Sequence, residues 1–176
     1  MLSGFPCVRE DLDRLTVAGY WIDLCGTIIQ EQQESTLLFR ALVWALKMLG
    51  DGAPRAATNF WLELHLLHSL GAGPSLDECL NCGNPGTTGW DIVRGGLVCP
   101  RCQSQRVFAL SPLAVSVVRA LSRCPAQSLQ DLHLPRRECE QLYAAIRAHM
   151  QQQLSESIRV HGAHLEVGAL LCEEDT

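Results

Sequence analysis

Two cysteine pairs, Cys79-x-x-Cys82 and Cys99-x-x-Cys102, stand 16 residues apart, and this C-x2-C-x16-C-x2-C pattern constrains the chain more than any other feature. Each pair lets a tight turn point two sulfurs at one ion, and the spacing lies within the range of tetrathiolate zinc sites. Gly83, directly after the first pair, offers the left-handed conformation that such a turn often needs. The stretch between the pairs is expected to return as a hairpin, with Gly86, Gly89, Gly95 and Gly96 at its turns. Ile92 and Val93, flanking a strand there, are expected to cover one side of the site. Four thiolates on one divalent cation leave no open coordination position. The expected cofactor is therefore one structural zinc ion per chain, held by Cys79, Cys82, Cys99 and Cys102, which organises the fold and activates no water.

The N-terminus has no basic segment leading into an apolar stretch with a small-residue cleavage site, so no secretory signal is read and a reducing, cytoplasmic setting is expected. There, paired thiols favour metal over disulfides. The remaining cysteines, Cys7, Cys25, Cys124, Cys139 and Cys172, have no paired spacing and are assigned as small buried hydrophobes. Arg40, Lys47, Glu63 and Arg119 interrupt every apolar run before it reaches membrane-spanning length.

Around the cysteine-bearing segment the chain reads as helical. Leu12, Leu15, Ala18, Ile22, Cys25 and Ile29 recur every three or four residues and predict a first helix over about 10–30. Ser35 is placed to cap a second, with Leu38, Leu42, Leu46 and Leu49 inward and Gly50-Asp51-Gly52 as its stop. A third begins after Pro54, turns Phe60, Leu64 and Leu67 inward, and ends at Gly71-Ala72-Gly73-Pro74. After the finger, a short helix over 112–123 would bury Leu113, Val117 and Leu121, and a longer one over 135–154 would bury Leu142, Ile146 and Met150. The fold class is mainly α, a helical bundle with an inserted four-cysteine zinc-ribbon finger. Its parts are an N-terminal arm (1–9), a helical domain (10–157) carrying the finger (77–104), and a tail (158–176) expected to leave the compact body.

Other chemistries fit these residues less well. Cys99-Pro-Arg-Cys102 alone resembles a redox dithiol, but a matched second pair favours metal. A zinc deaminase needs His-x-Glu before Pro-Cys-x-x-Cys, whereas His164-Leu165-Glu166 follows the cysteines and Val98 precedes Cys99. His65 and His68 lie one turn apart beside Glu63 without a third ligand at suitable spacing, and are read as ordinary helix residues. Phosphate-cradling and nucleophile-elbow motifs are absent, so no enzyme is expected. Trp21, Trp44 and Trp61 are assigned to the core or its edge, and Trp90 is read as an anchor of the hairpin on the helical body rather than a base-stacking platform. With 14 basic and 19 acidic side chains, the net charge of −5 supplies no global attraction for nucleic acid. Arg94, Arg101, Arg106, Arg119, Arg123, Arg136 and Arg137 are equally readable as a local cationic stripe or as a solvated mixed-charge face.

The run FWLELHLLHSLGAGPSLDECLNCG from Phe60, followed by a loop and WDIVRGGLVCPRC ending at Cys102, resembles the bacterial recombination-mediator family RecO. The matching elements are Leu70-Gly71, Pro74, Leu76, Cys79-x-x-Cys82-Gly83, Trp90, Gly95-Gly96 and Cys99-x-x-Cys102. Upstream, Asp11 to Leu15 and Ala18-Gly19-Tyr20 look like the start of that family's helical region, so the resemblance covers about 5–155. It implies the family's C-terminal portion, helical with a zinc finger. It also implies a DNA repair and recombination mediator that binds RecR, the C-terminal tail of single-strand binding protein and single-stranded DNA, and promotes RecA loading and strand annealing in the cytoplasm, associated with the nucleoid. About eight residues precede the first helix. The family's N-terminal OB-fold barrel is therefore expected to be lacking, through a fragment, a start set at an internal methionine or a true truncated variant, with DNA binding weakened or absent. A zinc-ribbon regulator or scaffold that only fixes a protein interface remains the alternative.

Overall fold

The computed structural model describes residues 6–31, 36–104, 106–154 and 163–172. Among these, the helices are α1 (Pro6–Arg9), α2 (Leu12–Glu31), α3 (Thr36–Gly50), α4 (Arg55–Ser69), α5 (Pro112–Leu121), α6 (Arg136–Gln153) and α7 (Ala163–Cys172). Three short strands, β1 (Gly89–Asp91), β2 (Gly96–Val98) and β3 (Val107–Ala109), form an antiparallel sheet in the order β2-β1-β3. The mainly α class is what the structure shows. No helix among the described residues is long and apolar enough to cross a membrane.

Helix α4 is the axis of the bundle. It packs against α2, α3, α5, α6 and α7, and burial reaches round its whole circumference, taking in Phe60, Leu64 and Leu67 as the sequence predicts. A helix enclosed on all sides must satisfy its polar side chains internally. Thr58 Oγ1 donates to the Pro54 carbonyl at 2.8 Å. Asn59 Oδ1 accepts the Trp21 indole N–H at 2.8 Å, and Glu63 Oε1 accepts the Tyr20 hydroxyl at 2.6 Å. Burial pushes the Glu63 carboxyl up to about 7, against the opposing pull of Tyr20, Asn59 and Arg147.

These two cross-links explain why α2 sits rotated from the expected face. It buries Val17, Ala18, Tyr20, Trp21, Leu24, Cys25 and Ile28, while Leu12, Leu15 and Ile22 are exposed. Apolar residues occupy most of its circumference, so periodicity alone leaves the rotation open. Tyr20 and Trp21 decide it, because their polar tips find hydrogen-bond partners on α4. In α3, Leu38 and Leu49 are fully buried and Leu42 and Leu46 partly so. Trp21 and Trp61 are core residues and Trp44 packs at the core's edge. Helix α5 starts at a Ser111 cap that accepts the Ala114 N–H. It buries Val117 and Leu121 but leaves Leu113 exposed. Leu142, Ile146 and Met150 of α6 are buried as expected. The side chains of Cys7 and Ile29, and Ser35 as a cap, fall outside the described residues.

Of the expected tail (158–176), residues 163–172 lie on the body rather than leaving it, and the rest fall outside the described residues. Helix α7 packs against α2, α4 and α6, with Val167 and Leu171 buried. Cys172 forms a disulfide with Cys139 of α6, their Cα atoms 5.6 Å apart. These two cysteines are therefore not the independent thiols that their spacing suggested. A separation of 33 residues carries no pairing signal until α6 and α7 lie side by side.

Candidate metal centre

The four cysteines reach one point from two knuckles built by different turns. In the first, the Gly83 N–H donates to the Cys79 carbonyl and the Cys79 N–H to the Asn84 carbonyl, both at 2.9 Å. Gly83 takes φ of 69°, a conformation that costs other residues steric strain. In the second, Pro100–Cys102 form a single 3-10 turn closed by the Cys102 N–H on the Cys99 carbonyl at 3.0 Å. The knuckles are joined through Leu80, whose N–H donates to the Leu97 carbonyl at 3.0 Å. As a result the Sγ atoms of Cys79, Cys82, Cys99 and Cys102 all lie within 4.8 Å of one another. They are the only metal-competent cluster of three or more His, Cys, Asp or Glu among the described residues.

Cys79 and Cys99 are buried, Cys102 is half-buried and Cys82 faces solvent. Val98 and Val107 pack over the two buried sulfurs. Ile92 and Val93, expected in that role, lie elsewhere: Ile92 packs on the main core and Val93 is exposed. The strands end before them, at Asp91, so the turn carries them away from the cysteines.

The electrostatics of the cluster suit a cation. Backbone N–H groups, that of Cys99 foremost and those of Asn81 and Cys82 with it, hold the Cys79 thiol down at about 6 despite its burial. At Cys82 the Asn84 N–H acts in the same direction, but hydrogen bonding with Cys102, Cys99 and Cys79 outweighs it and pushes the thiol up to about 12. One sulfur ionises readily while a neighbour keeps its proton through hydrogen bonds among the sulfurs, a proton that a bound divalent ion would replace. Geometry agrees. Tetrahedral zinc with Zn–S bonds of about 2.3 Å places sulfurs roughly 3.8 Å apart, and Cys82 Sγ and Cys99 Sγ are 3.7 Å apart.

The sheet fastens this centre to the helices. Trp90, central in β1, is fully buried and donates its indole N–H to His149 Nδ1 of α6 at 3.4 Å, in the anchoring role the sequence suggests. Gly96 runs against Ser75, where any Cβ would collide with the Ser75 carbonyl. That close approach lets the Leu97 N–H donate to the Ser75 carbonyl and the Ser75 N–H to the Gly95 carbonyl, both at 2.9 Å.

Sequence reasoning missed Arg119. Its Nε donates to the Leu76 carbonyl at 2.6 Å, and its Nη2 donates to the Asp77 carbonyl at 2.8 Å and to Thr87 Oγ1 at 3.1 Å. It strings α5 to the first knuckle. A stripe of arginines in sequence gave no hint that one of them would read backbone carbonyls. Arg123 pairs with Asp77 and Arg136 with Glu140, so the stripe is broken by internal partners. His65 and His68 donate from Nδ1 to the Trp61 and Leu64 carbonyls of their own helix, at 2.8 Å and 2.7 Å, and form no second metal cluster with described residues.

Comparison with known proteins gives a consistent relationship. The family described as "Recombination protein O C terminal" matches residues 9–160. A protein of Anaeromyxobacter sp. (strain K) named "DNA repair protein RecO" is 36% identical over 126 residues, 70% of this chain and 49% of its own length. One of the same name from Roseiflexus sp. (strain RS-1) is 33% identical over 132 residues, 73% of this chain and 46% of its own. Another, from Exiguobacterium sp., is 26% identical over 172 residues, 92% of this chain and 69% of its own. In most of these alignments the chain spans about half the length of the relative.

Proposed function

From the premise that this chain belongs to the RecO family, matching the family's C-terminal region, we propose that it is a zinc-organised, non-enzymatic mediator module of DNA repair and homologous recombination. The observation that carries the reading is the extent of the match, which runs through the helical body and the finger alike. Cys79, Cys82, Cys99 and Cys102 hold one zinc ion, and the ion's work is structural: with four sulfurs it keeps no position for water or substrate. The finger is then a rigid projection, fixed to the bundle by Trp90, Arg119 and the Ser75–Gly96 contact.

The partners proposed are RecR, the C-terminal tail of single-strand binding protein, and single-stranded DNA. Through them the module promotes RecA loading and strand annealing in the cytoplasm, at the nucleoid. A net charge of −5 leaves DNA contact to local patches, so protein partners carry most of the affinity. The test is calorimetric titration of the zinc-loaded chain with RecR, with a peptide of the single-strand binding protein tail, and with single-stranded DNA at several salt concentrations. Binding of RecR or the tail peptide, with a shallow salt slope, is expected. Failure to bind any of the three would contradict the proposal and favour a zinc-ribbon scaffold for some unrelated protein interface.

A further inference from the structure

We propose that the finger carries a phosphate-recognition cleft between Arg94 and Arg106, at the Asp91 end of the sheet. The strand register creates it. Asp91 pairs with Gly96 on one side and with Val107 on the other, so the turn holding Arg94 and the segment holding Arg106 emerge side by side. Gly89 pairs with Val98 at the opposite end, next to Cys99. A tetrathiolate zinc centre would carry about two negative charges; it sits near the other end of these three-residue strands, with Val107 packed over its sulfurs.

Between these groups lies a concavity of about 390 Å³ lined by Asp91, Val93, Arg94, Ser104 and Arg106. Asp91 is the one anion in it, and its carboxylate is committed to the protein. Oδ1 accepts the N–H groups of Val93 and Arg94 at 3.1 and 3.0 Å. Oδ2 accepts the Ser104 hydroxyl at 2.9 Å and lies 3.8 Å from Arg94 Nε. This buried carboxylate therefore ties the two walls together and orients Arg94, whose side chain remains about half exposed at 47%. Two guanidinium groups against one carboxylate leave a net positive charge over the opening. Guanidinium forks match phosphate oxygens in geometry as well as charge.

Three neighbouring arginines are bound to internal partners, Arg119 on the first knuckle, Arg123 on Asp77 and Arg136 on Glu140. Among the described residues no ion pair engages Arg106. Val93, 51% exposed on the lip, adds an apolar face on which a sugar or base can lie. That favours the phosphate of a nucleic-acid backbone over a free anion, and this choice of source rests on the DNA-repair reading above.

The test is a two-dimensional amide NMR titration of the zinc-loaded full chain with oligo(dT) and, separately, with inorganic phosphate. The same titrations are run on Arg106→Gln, on Arg94→Gln/Arg106→Gln and on Arg137→Gln, a surface control. Arg106→Gln leaves the Asp91 contacts in place and guards against loss of fold. Expected are shifts at Val93, Arg94, Ser104 and Arg106 with oligo(dT), roughly ten- to hundredfold weaker binding in the double variant, and a salt slope reduced by about 0.7 to 1.4. Equal oligo(dT) binding by wild type and double variant overturns the cleft and leaves the DNA reading standing. Equal losses in Arg137→Gln and the double variant also overturn it, as diffuse attraction. Phosphate-induced shifts that the double variant abolishes, without any oligo(dT) binding, uphold the cleft as a site for free anions and remove the DNA reading. An absence of shifts with both ligands refutes the proposal.

Discussion

Trp90 and His149 share one hydrogen bond of 3.4 Å between the finger and helix α6, and it fixes the state of the imidazole. The indole N–H is a donor only, so Nδ1 must accept. Nε2 must then carry the proton, which it donates to the Ala72 carbonyl at 2.9 Å. The joint between finger and body is thus built on a neutral histidine in a single tautomer.

That joint should respond to acid. Burial lowers the His149 pKa below its ordinary 6.5, the Ala72 carbonyl opposes the shift and His68 adds to it. The unfolded chain therefore takes up the proton first as pH falls, so the contribution of His149 is complete above about 6.5 and shrinks below it. Trp90 fluorescence and amide exchange in the finger, followed from pH 7.5 to 5, should report loosening there before the helices respond. His149→Gln should abolish the acid response of the finger, and an unchanged profile in that variant would refute the link.

Glu63 should act in the opposite sense. With its folded pKa raised to about 7 from 4.5, its contribution is complete below 4.5 and is lost as pH rises to about 7. The swing is on the order of a few kcal/mol. Chemical denaturation of Glu63→Gln across pH 4 to 8 should show the variant gaining on wild type as pH rises. Parallel curves would mean that the carboxyl ionises as readily in the fold as outside it.

Arg119→Met should cost about 1–3 kcal/mol, because the Leu76 and Asp77 carbonyls lose a charged donor. The loss should appear as faster amide exchange in the first knuckle, with α4 protected as before. Arg119→Lys should recover little, since an ammonium cannot fork to both carbonyls. Full rescue by lysine would show that charge alone matters at this position.

The Cys139–Cys172 disulfide closes a loop of 33 residues, worth about 3–4 kcal/mol by chain entropy. Cys139→Ser should lower the melting temperature and leave zinc content unchanged, which separates the two roles of cysteine in this chain. Loss of zinc in that variant would tie the α6–α7 contact to the finger and contradict the separation.

How much of this was legible in the sequence depended on the range over which each feature is encoded. The cysteine quartet, the left-handed Gly83 and the inward face of α4 are local patterns, and all three appear where spacing places them. The rotation of α2 was not local: Leu12, Leu15 and Ile22 fit a helical period, yet Tyr20 and Trp21 turn the helix toward Glu63 and Asn59, some 40 positions away. The Cys139–Cys172 pair, the Arg119 contacts and the pairing of β3 with β1 likewise exist only after folding brings distant segments together. Val107 and Val98 cover the sulfurs because strand register places them there, which composition around the cysteines does not reveal.

X-ray absorption at the zinc edge, combined with metal analysis of the purified chain, tests the central claim most directly. The account predicts one zinc per chain, surrounded by four sulfurs at about 2.3 Å and no oxygen or nitrogen. A chain that folds and melts normally without zinc, or a zinc whose shell includes water, would contradict it.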